Sequence, residues 1–153
     1  MTMREVTEMK PRKLGLELLI DLLEGEHRKV ESELRAVSGM IAARDPGGLG
    51  RLLQSLDEEL LQHMLDEEAS VLAVLIKVYG KERSAEAIKV FREHRRIREM
   101  MADMKRKFEA DPAECMKSIN ELESFMLEHF KKEEVVIFPL ALETQRRPKK
   151  AMV

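Results

Sequence analysis

A chain of 153 residues with 37% charged side chains, a net charge of −2 and a single cysteine has room for one domain and no internal disulfide. The near-balance of charge argues against a nucleic-acid footprint or a polybasic membrane surface, and no apolar run approaches the about 20 residues of a membrane span. Helix formers dominate, Gly and Pro are scarce and Trp is missing, so composition predicts a mostly helical, soluble, cytoplasmic protein.

Residues 1–13 mix charges without the apolar core of a signal peptide and read as an N-terminal extension. From there apolar residues recur every three or four positions. Leu19, Leu23, Val30, Leu34, Val37 and Ile41 predict a first helix over 14–43, stopped by the turn signal Arg44-Asp-Pro-Gly-Gly48. Leu49, Leu53, Leu56, Leu60, Val71 and Leu75 predict a second, which Gly80 is placed to end in the left-handed conformation. Ser84 is the expected N-cap of a third helix carrying Ile88, Phe91, Ile97, Met101, Met104 and Phe108.

A fourth helix opens at Asp111-Pro-Ala-Glu114, with a capping aspartate and proline at its first position. Its stripe is Ile119, Leu122, Phe125, Met126, Val136, Ile137 and Leu140, and Pro139 should kink or end it locally. Residues 144–153 read as a frayed basic tail. Short connections make an all-α, antiparallel up-down-up-down four-helix bundle over 14–143 the expected architecture.

Each predicted helix holds one of the four histidines, and each histidine continues an apolar stripe: Leu23-His27-Val30, Leu60-His63-Glu67-Val71, Phe91-His94-Ile97 and Met126-His129-Glu133-Ile137. Those spacings place four imidazoles and two glutamates on inward faces. Burying two carboxylates costs several kcal/mol for each unpaired ion, so a cation is the natural compensation. Imidazole and carboxylate without thiolate suit iron, manganese or zinc, and two carboxylates able to bridge suit a pair of metals.

The pattern repeats. His63-x-x-x-Glu67-Glu68 matches His129-x-x-x-Glu133-Glu134, and Glu26-His27-Arg28 matches Glu93-His94-Arg95. Two related hairpins would build a site with two similar halves. Glu68 and Glu134 lie about 100° round from the inward glutamates, as solvated groups or outer partners of the ligands.

These motifs, with Ile137-Phe138-Pro139-Leu140, resemble the hemerythrin-like, or HHE cation-binding, family over roughly residues 15–143. The resemblance implies a non-haem di-iron centre bridged by Glu67, Glu133 and an oxo or hydroxo group, with His27, His63, His94 and His129 as terminal ligands. Oxygen carriers of the family have a further histidine where this chain has Arg98, which implies a more open site. The expected partner is dioxygen, nitric oxide or peroxide, bound for sensing, storage or detoxification by a monomer or weak homodimer. Alternatives are a di-iron oxidase, peroxidase or iron-centre repair enzyme, and an iron-responsive regulatory module. Phe91, Phe125, Phe130 and Ile137 are candidates for an apolar wall around the metals.

Overall fold

The computed structural model describes residues 9–81 and 84–151. Among these residues there is no strand, and the helices assemble into four long rods. The first, α1, is Leu16–Ala42. The second, α2, joins Pro46–Asp66 to a π turn, Glu67–Leu72, and a final α-helical piece, Ala73–Tyr79. The third, α3, is Ala85–Ala110. The fourth, α4, runs through Pro112–Lys132, a π turn at Glu133–Ile137, and Phe138–Ala151.

The helix ends follow local chemistry, with some differences from expectation. Asp111 caps α4 by accepting from the N–H groups of Ala113 (3.0 Å) and Glu114 (3.4 Å). Gly80, at φ 74°, ends α2. The Arg44–Gly48 reversal is tighter than its glycine pair suggests. Helix α2 restarts at Pro46, so both glycines lie inside its first turn, and the left-handed residue is Arg44, at φ 56°. Asp45 caps this turn through the Gly48 N–H at 3.1 Å. Ser84 precedes α3 but makes no side-chain cap; its hydroxyl donates back to the carbonyls of Gly80 (2.6 Å) and Leu75 (3.3 Å).

Pro139 does not end α4. The π turn closes at Ile137, two residues before it, and a local change of hydrogen-bond register accommodates a residue with no N–H to give. The helix continues to Ala151, past the segment read as a frayed tail. Thr144 is buried there and donates to the Tyr79 hydroxyl (3.2 Å), and Arg146 pairs with Glu17 (2.9 Å). Residues 1–8 of the N-terminal extension lie outside the described residues.

The core divides in two. One apolar cluster is built from Val30–Ile41, Leu49–Met64, Ile97–Met104 and Cys115–Phe130; the other from Leu16–Leu23, Val71–Leu75, Ala87, Val90 and Ile137–Ala141. His27 and His94 fall between them, and His63 and His129 lie at the edge of the first cluster, one residue before its last members Met64 and Phe130. A buried polar layer therefore crosses the middle of the bundle.

Candidate metal centre

All six predicted side chains meet in this layer. His27, Glu67, His94 and Glu133 are fully buried, and His63 and His129 are nearly so. Helical spacing explains the meeting: each histidine sits three or four residues from a core apolar residue of its own stripe. Glu67 and Glu133 follow His63 and His129 by one turn and start the two π turns, a device found at functional sites in helices.

Inside the layer, His63 Nε2 lies 2.5 Å from Glu67 Oε1, and His129 Nε2 lies 3.0 Å from Glu133 Oε1. His27 Nε2 is 3.3 Å from Glu133 Oε1, and His94 Nε2 is 3.8 Å and 3.9 Å from Glu67 Oε1 and Glu133 Oε2. Close as these atoms are, they are not hydrogen-bonded. The Nε2 atoms of His27, His63 and His94 and all four oxygens of the two glutamates are buried without a hydrogen-bond partner.

The outward nitrogens are fully engaged. Nδ1 of His27 meets Glu134 Oε2 at 2.8 Å, His63 meets Glu26 Oε1 at 2.9 Å, His94 meets Glu68 Oε2 at 2.8 Å and His129 meets Glu93 Oε1 at 3.0 Å. The carboxylates form a closed ring: α1 serves α2, α2 serves α3, α3 serves α4, and α4 returns to α1. An ionised carboxylate only accepts, so each Nδ1 carries a proton, and an imidazole that stays neutral points its Nε2 lone pair inward. Around Glu133 the interior of the layer is then lined with acceptors facing acceptors.

Electrostatics favour the neutral form at His27 and His129 but the charged form at His63, whose Nε2 then carries a second proton toward Glu67. Burial and the neighbouring His63 push His27 down to about 2, and burial lowers His129 against the pull of Glu93. Burial also works against a charged His63, but Glu67 and Glu26 outweigh it and lift the group to about 9. The same contact offsets the burial of Glu67 and holds its carboxyl at about 2. Glu26 and Glu93 are lowered, the first by His63 and Arg12 against burial, the second by the hydrogen bond from His129.

Apolar rings close the layer. Phe130 stacks on His27 at 3.9 Å between centroids and also meets His63 and His129. Phe138 stacks on His27 at 5.7 Å, and Ile137 is fully buried. Phe91 and Phe125 are only partly buried and pack against the two apolar clusters. Arg98 is exposed, so α3 contributes His94 alone to the layer.

Sequence reasoning left Glu68 and Glu134 between solvent and an outer role, and the structure puts both on a histidine. It missed Glu26 and Glu93, although each immediately precedes a histidine in both copies of the repeat. Phe138, quoted only as part of the Ile137-Phe138-Pro139-Leu140 motif, was not among the candidates for the apolar wall.

Two groups of four side chains are able to hold a cation: His27, His63, Glu67 and Glu133, and Glu67, His94, His129 and Glu133, each with ligand atoms within 4.8 Å of one another. The donor set and the unpaired inner atoms fit a metal. No curated protein and no solved structure matched the chain. The hemerythrin HHE cation binding domain matches it over residues 18–141, most of its length, and the chain belongs to that family.

Proposed function

We propose that this protein holds two iron ions in the polar layer and uses them to bind dioxygen, nitric oxide or peroxide. The observation that carries this reading is the inner face of the layer: three imidazole nitrogens and four carboxylate oxygens buried without a hydrogen-bond partner. Metal cations would satisfy such a set. That both four-residue groups share Glu67 and Glu133 supports two positions bridged by those carboxylates, each with two histidines. Manganese and zinc accept similar ligands, and iron is the reading because the family resemblance points to it.

Bound iron supplies reversible electron exchange with a small ligand. The chain's own residues orient and exclude. The outer glutamates fix which nitrogen of each imidazole faces inward and hold the ring in place. Phe130 and Phe138 keep water from His27, which they cover, and this raises the strength of every charge interaction there. Four protein groups at each position would leave a bound metal room for a small ligand.

We also read the bundle as up-down-up-down. Helices α1 and α3 pass from the second apolar cluster to the first, and α2 and α4 return, which supports alternating directions. The near-balanced charge supports a small-molecule partner, and we take the chain to act as a monomer or weak homodimer in the cytoplasm.

The test is anaerobic reduction of the iron-loaded protein followed by oxygen, nitric oxide or peroxide, watched in the visible spectrum. New absorption bands with at least one of them are expected; no change with any of the three overturns the ligand-binding reading. A second reading, an iron-responsive module, is favoured by the polar layer splitting the core, since metal that bridges four helices is also folding energy. It predicts that iron removal changes stability or association while the gases change nothing.

A further inference from the structure

The chain segment before α1 is not a free extension where it is described. The Arg12 N–H donates to Asp66 Oδ1 at 2.7 Å, and its Nε donates to Asp66 Oδ2 at 2.6 Å. From the same guanidinium, Nη2 reaches both oxygens of Glu26, at 3.0 and 2.9 Å. Gln62 fastens the segment again, donating to the Lys10 carbonyl (2.9 Å) and to Asp66 Oδ1 (3.1 Å).

Both anchors lie against the metal centre. Asp66 is fully buried and is the last residue before the π turn that begins with Glu67. Glu26 Oε1 is the atom that accepts from His63 Nδ1. Arg12 therefore ties together the residue preceding one inner carboxylate and the outer carboxylate that orients one histidine.

No other outer glutamate is held this way. Glu134 pairs with Arg28 of α1 and Glu93 with Lys132 of α4 (3.6 Å), cations that belong to the bundle itself. Glu68 has no cation against it among the described residues. Arg12 also lies ahead of the span matched by the family, which begins at residue 18, so the clamp is a feature of this chain's own N-terminal segment.

We propose that Arg12 is a positioning residue for the half of the centre held by His63, and that docking of residues 9–15 and metal occupancy of that half are coupled. The inference rests on the metal-binding reading above. An ordered segment keeps Glu26 on His63 and Asp66 under the π turn; a metal on His63 and Glu67 in turn steadies the groups that the segment grips. Coupling of this kind is reciprocal. Whatever draws the segment away loosens one metal position and leaves the other, on His94 and His129, in place.

The experiment uses the full chain, loaded anaerobically with ferrous iron, as wild type, R12Q, R12K and K105Q. The last breaks an interhelical ion pair remote from the centre, Lys105–Asp57 at 2.6 Å, and controls for loss of stability alone. Iron release to a chelator should become biphasic in R12Q, with one of two equivalents leaving about tenfold faster or more. R12K keeps the charge but not the two-sided fork and should fall between; it also carries the test if R12Q does not fold. Among the exchangeable histidine N–H resonances shifted by the iron, the one lost in H63A should move in R12Q while the others stay.

If both equivalents leave R12Q at the wild-type rate, or K105Q speeds release as much, the clamp has no positioning role. A wild type that takes up no iron overturns the metal-binding reading itself. A wild type with two irons and an indifferent R12Q overturns only the clamp.

Discussion

Glu67 and Glu133 look equivalent in the sequence repeat, yet in metal-free protein their replacement by leucine should have opposite effects. Glu67 faces His63, which its surroundings hold at about 9 and hence charged at neutral pH, 2.5 Å away. Glu133 faces His27 and His129, at 3.3 and 3.0 Å, both pushed toward the neutral form chiefly by burial. Its oxygens have no donor and are fully buried. Exchanging a buried polar group without a partner for an apolar one removes a desolvation cost of about 1–3 kcal/mol. E133L should therefore raise the melting temperature of chelator-treated protein, by roughly 2–4 °C per kcal/mol for a chain of this size.

Removing Glu67 leaves a buried cation instead, for which losses run at about 3–5 kcal/mol. The lower end is expected, since Glu26 still holds His63. Thermal unfolding followed by circular dichroism, with and without iron, reads both. Iron should reverse the order for E133L, which gains little from metal that stabilises the wild type. The reasoning is refuted if metal-free E133L melts below the wild type, because the layer would then be satisfied without a cation.

Away from the centre, Glu33 and Glu59 approach across α1 and α2, with one oxygen of each buried and Lys29 on the other face of Glu59 at 2.7 Å. Burial and Glu59 lift Glu33 to about 7. A carboxyl raised above its unfolded value near 4.5 contributes stability that is full below that pH and lost as pH rises through 7. E33Q should thus melt above the wild type at pH 8 and lose the advantage near pH 4.5, as melting curves across pH will show. In the first turn of α2, an added Cβ at Gly48 would stand 2.4 Å from Asp45 Oδ2, whereas one at Gly50 meets nothing. G50A should gain about 0.5–1 kcal/mol from helix propensity. G48A should gain nothing, because the cap it disturbs is worth about 1 kcal/mol; chemical denaturation of the two variants checks the difference.

The helices and the meeting of the six inward residues were legible because one physical pattern sets both. A stripe with a period of three to four residues turns Leu23, His27 and Val30 to one face, and the same holds on the other three helices. Gly80 and Asp111 act through their own backbone and side chain, so their roles were also readable. The π turns were not, since a one-residue change in hydrogen-bond register leaves the stripe almost unaltered over so short a stretch. For the same reason Pro139 looked like an end when the turn before it accommodates it.

The outer glutamates fall between these cases. Glu68 and Glu134 follow the inner pair directly, which marked them as possible partners. Glu26 and Glu93 serve histidines on neighbouring helices, and no local spacing indicates which helix a side chain crosses to. Arg12 is more distant still. Its contacts with Asp66 span 54 positions and depend on how an irregular segment lies across two helices.

The central claim is that the buried layer holds two metal ions, and direct metal analysis tests it. Protein made without added metal, then titrated anaerobically with ferrous iron, should end with close to two metals per chain and a melting temperature well above that of chelator-treated protein. Substoichiometric metal, together with identical melting in the two states, would contradict the account.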